Sequence, residues 1–465
     1  MNKGDVIMSD WKTYLEEHEQ KFLDEFIEFL RIPSLSTLPE YSKDLRQAAN
    51  WLANRMTDIG LEHVEICETG GHPVVYGDWL HVDGAPTILL YGHYDVQPAE
   101  PLELWQSPPF EPQVRDGRIY ARGASDMKGN VLTMLHACEA HLKTTGTLPV
   151  NVKIIIEGEE EIGSPSLPKW LSDNRERLSC DFAVNSDSGQ ISLSHPTVIV
   201  GTKGVCGVEI KVKTNPSDLH SGFAGGIVHN ALHVMANIVA SFHGSDGRIN
   251  VQGMYDDVVP PSAEDREMCA KMPLSESAFR SSIGVDKLIS EPGFSPIEVT
   301  WFRPTLSVNG MWGGYQGEGT KTIIPCEAHA KVTCRLASSQ SPSDIVKKIS
   351  AHVLQYTPEG VKAIVTPISG SADPYLTPDN FPVLRAADAA LTNVMGGQPM
   401  HMRMGLTVPI LGMLHKLLGI EVVSLGFSGM NDNIHAPNES QDLVLYRVGS
   451  KVFGAFFESA SDIRL

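Results

Sequence analysis

Short apolar runs alternate with helical stretches over the first 200 residues of the chain. The runs TILLYG (87–92), VKIIIEG (152–158) and DFAVNSD (181–187) have the length of buried strands. Helical patterns at 128–143 and 166–178 lie between these runs. Strands that alternate with helices predict an α/β domain with a mostly parallel central sheet flanked by helices.

The pattern changes near residue 200. Residues 328–337 and 362–368 read as strands, and 227–242 has helical periodicity, whereas 244–300 is rich in proline, serine and charged residues. After SADPYLTPDN (371–380) the α/β pattern returns. The simplest organisation is one α/β domain, formed by 1–200 and 373–465, that is interrupted by a smaller α+β domain at 201–372.

Charge and cysteine usage exclude several classes of protein. The net charge of −19 argues against a surface that binds nucleic acid or anionic membranes, because such surfaces need basic patches. The seven cysteines are odd in number, widely spaced and without a CxxC motif, which predicts reduced thiols. With no apolar leader and no apolar run near 18 residues, the sequence predicts a cytoplasmic protein.

Acids and histidines follow the predicted sheet strands. The side chains in question are His93, Asp95, Glu159, Glu160, Glu161, Asp187, Asp432 and His435, and Asp126 directly precedes a helix. Ligands of open α/β sheets bind beyond the carboxyl ends of the strands, so we expect these groups to converge. Converging carboxylates raise each other's pKa values, and divalent cations would remove that repulsion. Mixed histidine and carboxylate ligands suit zinc, manganese or cobalt.

The motifs that carry these residues resemble the M20 family of di-metal peptidases, and within it the dipeptidase and carnosinase-like branch. They occur in family order along nearly the whole chain: YGHYDVQP, ARGASDMKGN, EGEEEIGS, NSDSG, DLHSGFAGG, KTIIP, the RL pair at 335–336, and NIHAPNE. The resemblance implies a metal-dependent hydrolase of the amide bond in a small peptide. It also implies that the inserted domain serves as a lid and makes a homodimer.

The resemblance assigns two divalent ions to each subunit, zinc by preference, with five protein ligands. His93 and Asp187 would bind the first ion, Glu161 and His435 the second, and Asp126 would bridge them. Asp95 would orient His93, since carboxylates behind a ligating histidine fix its tautomer. Glu160 would be the general base that activates the attacking water and passes its proton to the leaving amine.

Three further residues of the inserted domain match family positions. His220 would stabilise the oxyanion, and Thr322 and Arg335 would hold the substrate, with Arg335 gripping a carboxylate through two hydrogen bonds. In this branch, the equivalents of His220 and Thr322 serve the active site of the partner subunit. Outside the resemblance, each of these residues also fits an ordinary loop or surface position.

One motif departs from the branch pattern. Where the branch has R-E-G-G-S-I-P, residues 403–409 read RMGLTVP, so that Met404, Leu406 and Thr407 replace Glu, Gly and Ser. Thr407 can still donate a hydroxyl hydrogen bond to a substrate, whereas Leu406 adds bulk where backbone could approach closely. The departure predicts an altered pocket, open to an unusual amide or to an apolar group.

Four alternatives stay open at this stage. The pairs Ser125/Lys128 and Ser172/Asn174 match short motifs of serine hydrolases, although no K-T-G follows. The glycine-rich segment 310–322 resembles a phosphate loop but lacks the order G-K-[ST]. The third alternative is a non-catalytic binding protein on the same fold. Such a relative should have lost a metal ligand or the base, whereas the five ligand positions and Glu160 are all present here. An M20 deacylase acting on an N-acyl amino acid is the runner-up.

Overall fold

The computed structural model describes residues 10–273 and 275–464. The α-helices of the described residues are α1 (Trp11–Glu17), α2 (Glu19–Leu30), α3 (Ser42–Ile59), α4 (Gly129–Thr145), α5 (Leu167–Asp173), α6 (Ser221–Ala224), α7 (Ala231–Ser241), α8 (Ala263–Lys271), α9 (Glu276–Ile283), α10 (Pro296–Phe302), α11 (Pro342–Gln355), α12 (Pro382–Met395), α13 (Pro409–Leu418) and α14 (Leu443–Ala460). None of these helices is long and apolar enough to span a bilayer.

The strands of the described residues are between two and ten residues long. They are β1 (Glu62–Cys67), β2 (Val74–Trp79), β3 (Thr87–His93), β4 (Gln113–Arg115), β5 (Arg118–Tyr120), β6 (Asn151–Glu157), β7 (Phe182–Asn185), β8 (Gly189–Gln190), β9 (Thr197–Thr202), β10 (Gly204–Lys213), β11 (Leu219–His220), β12 (Thr305–Gly313), β13 (Ile323–Ile324), β14 (Glu327–Leu336), β15 (Lys362–Pro367), β16 (Tyr375–Leu376), β17 (Met400–Met404), β18 (Val422–Ser424), β19 (Ser428–Gly429) and β20 (Ser440–Asp442).

The described residues fall into two compact units. The first comprises the described parts of Met1–Val200, Thr377–Met402 and Met413–Leu465, and the second comprises Gly201–Leu376 and Arg403–Gly412. The predicted boundary after residue 372 places 403–412 in the α/β domain. In the structure this segment groups with the second unit instead, because it packs and hydrogen-bonds there, as between the Lys203 N–H and the Leu406 carbonyl (2.9 Å).

The first unit is built on a sheet with the strand order β1-β2-β6-β3-β7-β18-β9. The four central strands β6, β3, β7 and β18 are parallel, and the flanking strands are antiparallel. Strands covered on both faces need continuous apolar runs, which explains why β3 reads TILLYGH and is buried over almost its whole length. The predicted α/β class with a mostly parallel central sheet is confirmed.

Helices on the faces of this sheet complete the core of the first unit. The apolar side chains of α2, α3, α4, α12 and α14 join those of the central strands in one buried cluster. Helix α4 follows the turn Ala124–Lys128 and is buried along most of its length. Near the start of the described chain, α1 and α2 are two separate helices that meet at His18.

The second unit is the predicted smaller α+β domain. Its sheet has the order β12-β14-β10-β15 with antiparallel pairs throughout, and α7 and α11 contribute to the core that lies against it. The serine- and proline-rich stretch after residue 244 forms the three short helices α8, α9 and α10. Each of these helices begins at a serine whose hydroxyl accepts a backbone N–H, a common N-cap.

Candidate active site

The carboxyl edge of the central strands brings the predicted acids and histidines together. His93 ends β3, Glu160 and Glu161 follow β6, and Asp187 follows β7. Their ligand atoms form two groups, each with all atoms within 4.8 Å of one another. One group contains His93, Glu160 and Asp187, and the other contains Asp126, Glu161 and His435.

Asp126 lies between the two histidines. One carboxylate oxygen is 3.1 Å from Nε2 of His93, and the other is 2.9 Å from Nε2 of His435. Nε2 of His435 is also 3.2 Å from Oε2 of Glu161. Burial raises the pKa of Asp126, but the hydrogen bonds with His435 and His93 outweigh it and leave the pKa below its usual value. One oxygen of Asp126 thus faces each ligand group. A carboxylate shared by two cations would take this position.

Asp95 joins the loop that carries YGHYDVQP to the loop that carries EGEEEIGS. Its carboxylate accepts the backbone N–H groups of Glu160 (3.2 Å) and Glu161 (3.0 Å). Nδ1 of His93 lies 3.1 Å from the Asp95 carbonyl oxygen and 3.4 Å from its carboxylate. The backbone carbonyl therefore contributes to orienting the imidazole, while the buried carboxylate fixes the backbone of the two glutamates.

The remaining carboxylates repel one another in a buried position. Burial, followed by the charge of Asp126, raises the pKa of Asp187 to about 7. Burial and the nearby acids also raise the pKa of Glu160 well above its usual value, and burial raises that of Glu161. Such a cluster fits divalent cations, because positive charge would relieve both the burial cost and the mutual repulsion.

Glu439 is a positioning residue to which sequence analysis assigned no role. Its buried carboxylate accepts the backbone N–H groups of Gly123, Ser125 and Asp126 at 2.9–3.0 Å, and it forms an ion pair with Arg122 at 2.8 Å. It therefore holds the turn that presents Asp126. The only signal in the sequence was its place at the end of NIHAPNE.

Asp432 lies outside both ligand groups, although it is one of the acids that follow the strands. Its carboxylate accepts hydrogen bonds from the Ser125 hydroxyl (2.6 Å), the Gly429 N–H (2.6 Å) and the Arg118 guanidinium. These partners satisfy both carboxylate oxygens of Asp432. The expectation that it converges with the other acids on a ligand is therefore wrong.

The serine hydrolase alternative is also wrong. The Ser125 hydroxyl donates to Asp432, and the ammonium of Lys128 donates to the carbonyls of Phe29 (3.1 Å) and Ile32 (2.7 Å). Lys128 is thus not placed to activate Ser125. The phosphate-loop alternative fails as well, because segment 310–322 continues from β12 into the short strand β13 rather than into a helix.

In the second unit, His220 ends β11, and Thr322 directly precedes the neighbouring strand β13. The N–H of Gly222 donates to Nδ1 of His220 at 3.0 Å, so the neutral ring carries its proton on Nε2. His220 pairs with Ile323, the residue that follows Thr322, and the Thr322 carbonyl accepts the Ser221 N–H at 3.1 Å. His220 is exposed, and its Nε2 is available as a hydrogen-bond donor.

Arg335 and Thr407 form a second pair in the same unit. The Arg335 guanidinium donates to the Thr407 hydroxyl oxygen at 2.6 Å. The backbone of the neighbouring Leu406 is held by Lys203, whereas its side chain is 60% exposed. The altered motif thus places the exposed apolar side chain of Leu406 next to Thr407, whose hydroxyl bonds to the Arg335 guanidinium.

A sheet that is parallel at its centre, with two clusters of histidines and carboxylates at its carboxyl edge, is the arrangement expected of a metal-dependent hydrolase. The model of peptidase family M20/M25/M40 matches residues 89–459, and the chain belongs to this family.

Similar proteins with known names show to which branch of the family the chain belongs. The chain is 30% identical to the Beta-Ala-His dipeptidase of Homo sapiens, over 96% of this chain and 91% of that protein. It is 27% identical to a Cys-Gly metallodipeptidase of Candida albicans, over 95% of each. The structure of an M20 family metallo-carboxypeptidase from Sulfolobus solfataricus superposes with a TM-score of 0.84 at 32% identity, covering 95% of this chain and 100% of that one. The chain lies in the dipeptidase and carnosinase-like branch.

Proposed function

We propose that the protein hydrolyses the peptide bond of a dipeptide or similar small peptide, with Glu160 as the general base. The observation that carries the proposal is the pair of adjacent ligand groups around Asp126. His93 and Asp187 would hold one divalent cation and Glu161 and His435 a second, with Asp126 shared between them. When bound, the two cations would polarise the substrate carbonyl and lower the pKa of the attacking water.

The protein's own residues supply the proton transfers and the binding contacts. Glu160 takes a proton from the attacking water and delivers it to the leaving amine. Its carboxylate lies within 4.8 Å of the ligand atoms of His93 and Asp187, which supports this role because a general base must lie within reach of the water that it deprotonates. His220 donates from Nε2 to the developing oxyanion, and Arg335 and Thr407 hold the substrate carboxylate, with Thr322 beside His220.

The metals we propose are zinc ions, with manganese and cobalt as alternatives. The ligand groups contain histidines and carboxylates and no cysteine, which fits all three metals and a catalytic rather than a structural site.

We also propose a homodimer formed through the second unit. Strand β12 lies at an edge of its sheet and carries the exposed apolar side chains of Val308, Met311 and Trp312. An exposed apolar edge strand is a surface on which a second strand can pair. Sedimentation at the mass of one 50.7 kDa chain at micromolar concentration would contradict the dimer.

A cytoplasmic location completes the proposal. The odd number and wide spacing of the cysteines support a reducing compartment. Fractionation of the source cells, with recovery in an oxidising compartment, would contradict it.

Chelation is expected to abolish the activity. Incubation with EDTA followed by a hydrolysis screen of dipeptides and N-acyl amino acids should show no turnover, and zinc, manganese or cobalt added separately should restore it. Activity that survives complete removal of metal would contradict the mechanism. If the restored enzyme hydrolyses acyl amino acids but no dipeptide, the protein is a deacylase and the dipeptidase proposal is wrong.

Leu406 is expected to favour substrates with an apolar group next to the carboxylate held by Arg335. In Leu406→Gly, the ratio of kcat/KM for a dipeptide with C-terminal leucine to that for C-terminal glycine should fall by about tenfold, the worth of a few apolar contacts. Ile289→Gly, at a loop side chain of the same unit that is 89% exposed, is the matched control. An unchanged ratio in Leu406→Gly would remove Leu406 from substrate selection.

A further inference from the structure

Two cysteines lie directly opposite each other in the sheet of the second unit. In the antiparallel ladder of β10 and β14, Cys206 is the register partner of Cys334. Their side chains are 0% and 1% exposed, and residues two positions further on, Val208 and Val332, are buried with them. The two thiols therefore occupy the core face of the sheet at one register position.

The geometry of such a pair suits a covalent bond. Residues that are directly opposite in an antiparallel ladder have Cα atoms about 4.5 or 5.5 Å apart. Disulfides span Cα separations of about 4.4–6.8 Å, so either kind of pair can be bridged without a large backbone movement.

The thiols already interact. The S–H of Cys334 donates a hydrogen bond to the sulfur of Cys206, which lowers the pKa of the Cys206 thiol. The same hydrogen bond, together with burial, raises the pKa of Cys334. Because the thiolate is the reactive form, this direction favours Cys206 as the attacking thiol of the pair.

We propose that Cys206 and Cys334 form an oxidation site, at which hydrogen peroxide closes a cross-strand disulfide in the folded enzyme. Cys206 loses its proton and its sulfur attacks one peroxide oxygen, so that the O–O bond breaks and one water and a sulfenic acid form. The sulfur of Cys334 then attacks the sulfenic sulfur, and the S–O bond breaks with release of a second water. The two thiols lose two electrons in total, and one peroxide is reduced to two waters.

Burial selects the oxidant. Cys206 lies near the start of β10 and Cys334 near the end of β14, so local opening at this end of the sheet admits a molecule about the size of water. Glutathione disulfide is too large and too charged to enter by such an opening.

The disulfide would act on the neighbouring Arg335. Cβ atoms of opposite residues are about 4.5–5.5 Å apart, whereas a disulfide holds them at about 3.8 Å. Closing it draws the strands together beside Arg335, which is paired with Val205. This consequence rests on the proposed role of Arg335 in binding substrate, and it predicts a rise in KM that is larger than the change in kcat.

The test treats the metal-loaded enzyme with hydrogen peroxide or with glutathione disulfide. Free thiols are then alkylated, and a non-reduced digest is analysed by mass spectrometry. Peroxide should yield the Cys206–Cys334 cross-linked peptide, which dithiothreitol removes, and glutathione disulfide should not. If both thiols remain alkylatable while the partly exposed Cys326 is oxidised, the proposed site is overturned.

The effect on Arg335 is read separately. Peroxide should raise KM reversibly in the wild type and in Cys269→Ala, which lacks another buried thiol, but not in Cys206→Ala or Cys334→Ala. If peroxide raises KM equally in Cys206→Ala, the proposed effect of the disulfide on Arg335 is overturned. Because the cross-link is detected by mass, its result stands even if the proposed peptidase activity is absent.

Discussion

Replacing Glu160 with glutamine is expected to stop hydrolysis while leaving the bound metal unchanged. Loss of a general base typically lowers kcat by about 10²–10⁴-fold. Glutamine keeps the size of the side chain but removes its negative charge and its ability to accept and release a proton. The measurement is kcat on the best dipeptide of the screen, with metal content determined on the same sample.

Glu161→Gln is the informative comparison, because Glu161 is proposed as a ligand and lies 3.2 Å from His435. That variant should lose metal as well as activity. Glu160 also lies within reach of His93 and Asp187, so a ligand role for it is the competing interpretation. Loss of metal from Glu160→Gln would establish that role and contradict its assignment as the base, as would activity near that of the wild type.

Replacing Arg55 with methionine is expected to lower the free energy of unfolding by about 3–5 kcal/mol, since it removes the buried cation that pairs with the buried carboxylate of Glu139. Arg55, which is 8% exposed, bonds to Glu25 through Nε at 3.1 Å and also forms an ion pair with Glu139. Glu139 is 1% exposed, and its other oxygen bonds to Lys21 and Tyr14. Urea unfolding monitored by circular dichroism at neutral pH measures the loss.

The matched control is Arg46→Met on the same helix. Arg46 pairs with Glu68 at 2.7 Å, but both side chains are largely exposed, so the expected loss is below about 1 kcal/mol. Equal losses in the two variants would contradict the assigned importance of burial. Neither variant should change KM.

The loss from Arg55→Met should shrink on acidification. Burial raises the pKa of Glu139, but Arg55 and then Lys21 outweigh it and lower the pKa to about 2 from an ordinary value of 4.5. The stability that this ionised carboxylate provides is complete above pH 4.5 and is lost as the pH falls toward 2. The difference between wild type and variant should therefore be smaller at pH 3 than at pH 7.

The α/β class and the order of the elements were predictable because buried parallel strands need continuous apolar runs. Strand β3 and helix α4 lie where the apolar run and the helical pattern placed them, and each predicted acid or histidine motif follows its strand. Helices α8, α9 and α10 were not predicted, because each is too short to show a period, and their starts depend on serine caps.

The candidate site divides in the same way. His93, Asp126, Glu160, Glu161 and His435 could be named because their motifs are local in the sequence. The role of Glu439 was not visible, since it depends on hydrogen bonds to a turn more than 300 residues earlier. The different fate of Asp432 depends in the same way on its distant partners Ser125 and Arg118.

The sequence by itself determined which residues could bind metal and which family the chain resembles, because residue type and spacing are written in the chain. Only the tertiary structure decided that Asp126 faces two histidines, that 403–412 packs with the second unit, and that Cys206 meets Cys334. These facts depend on strand register and on contacts between distant segments. The packing of the whole chain sets both, and no local pattern encodes them.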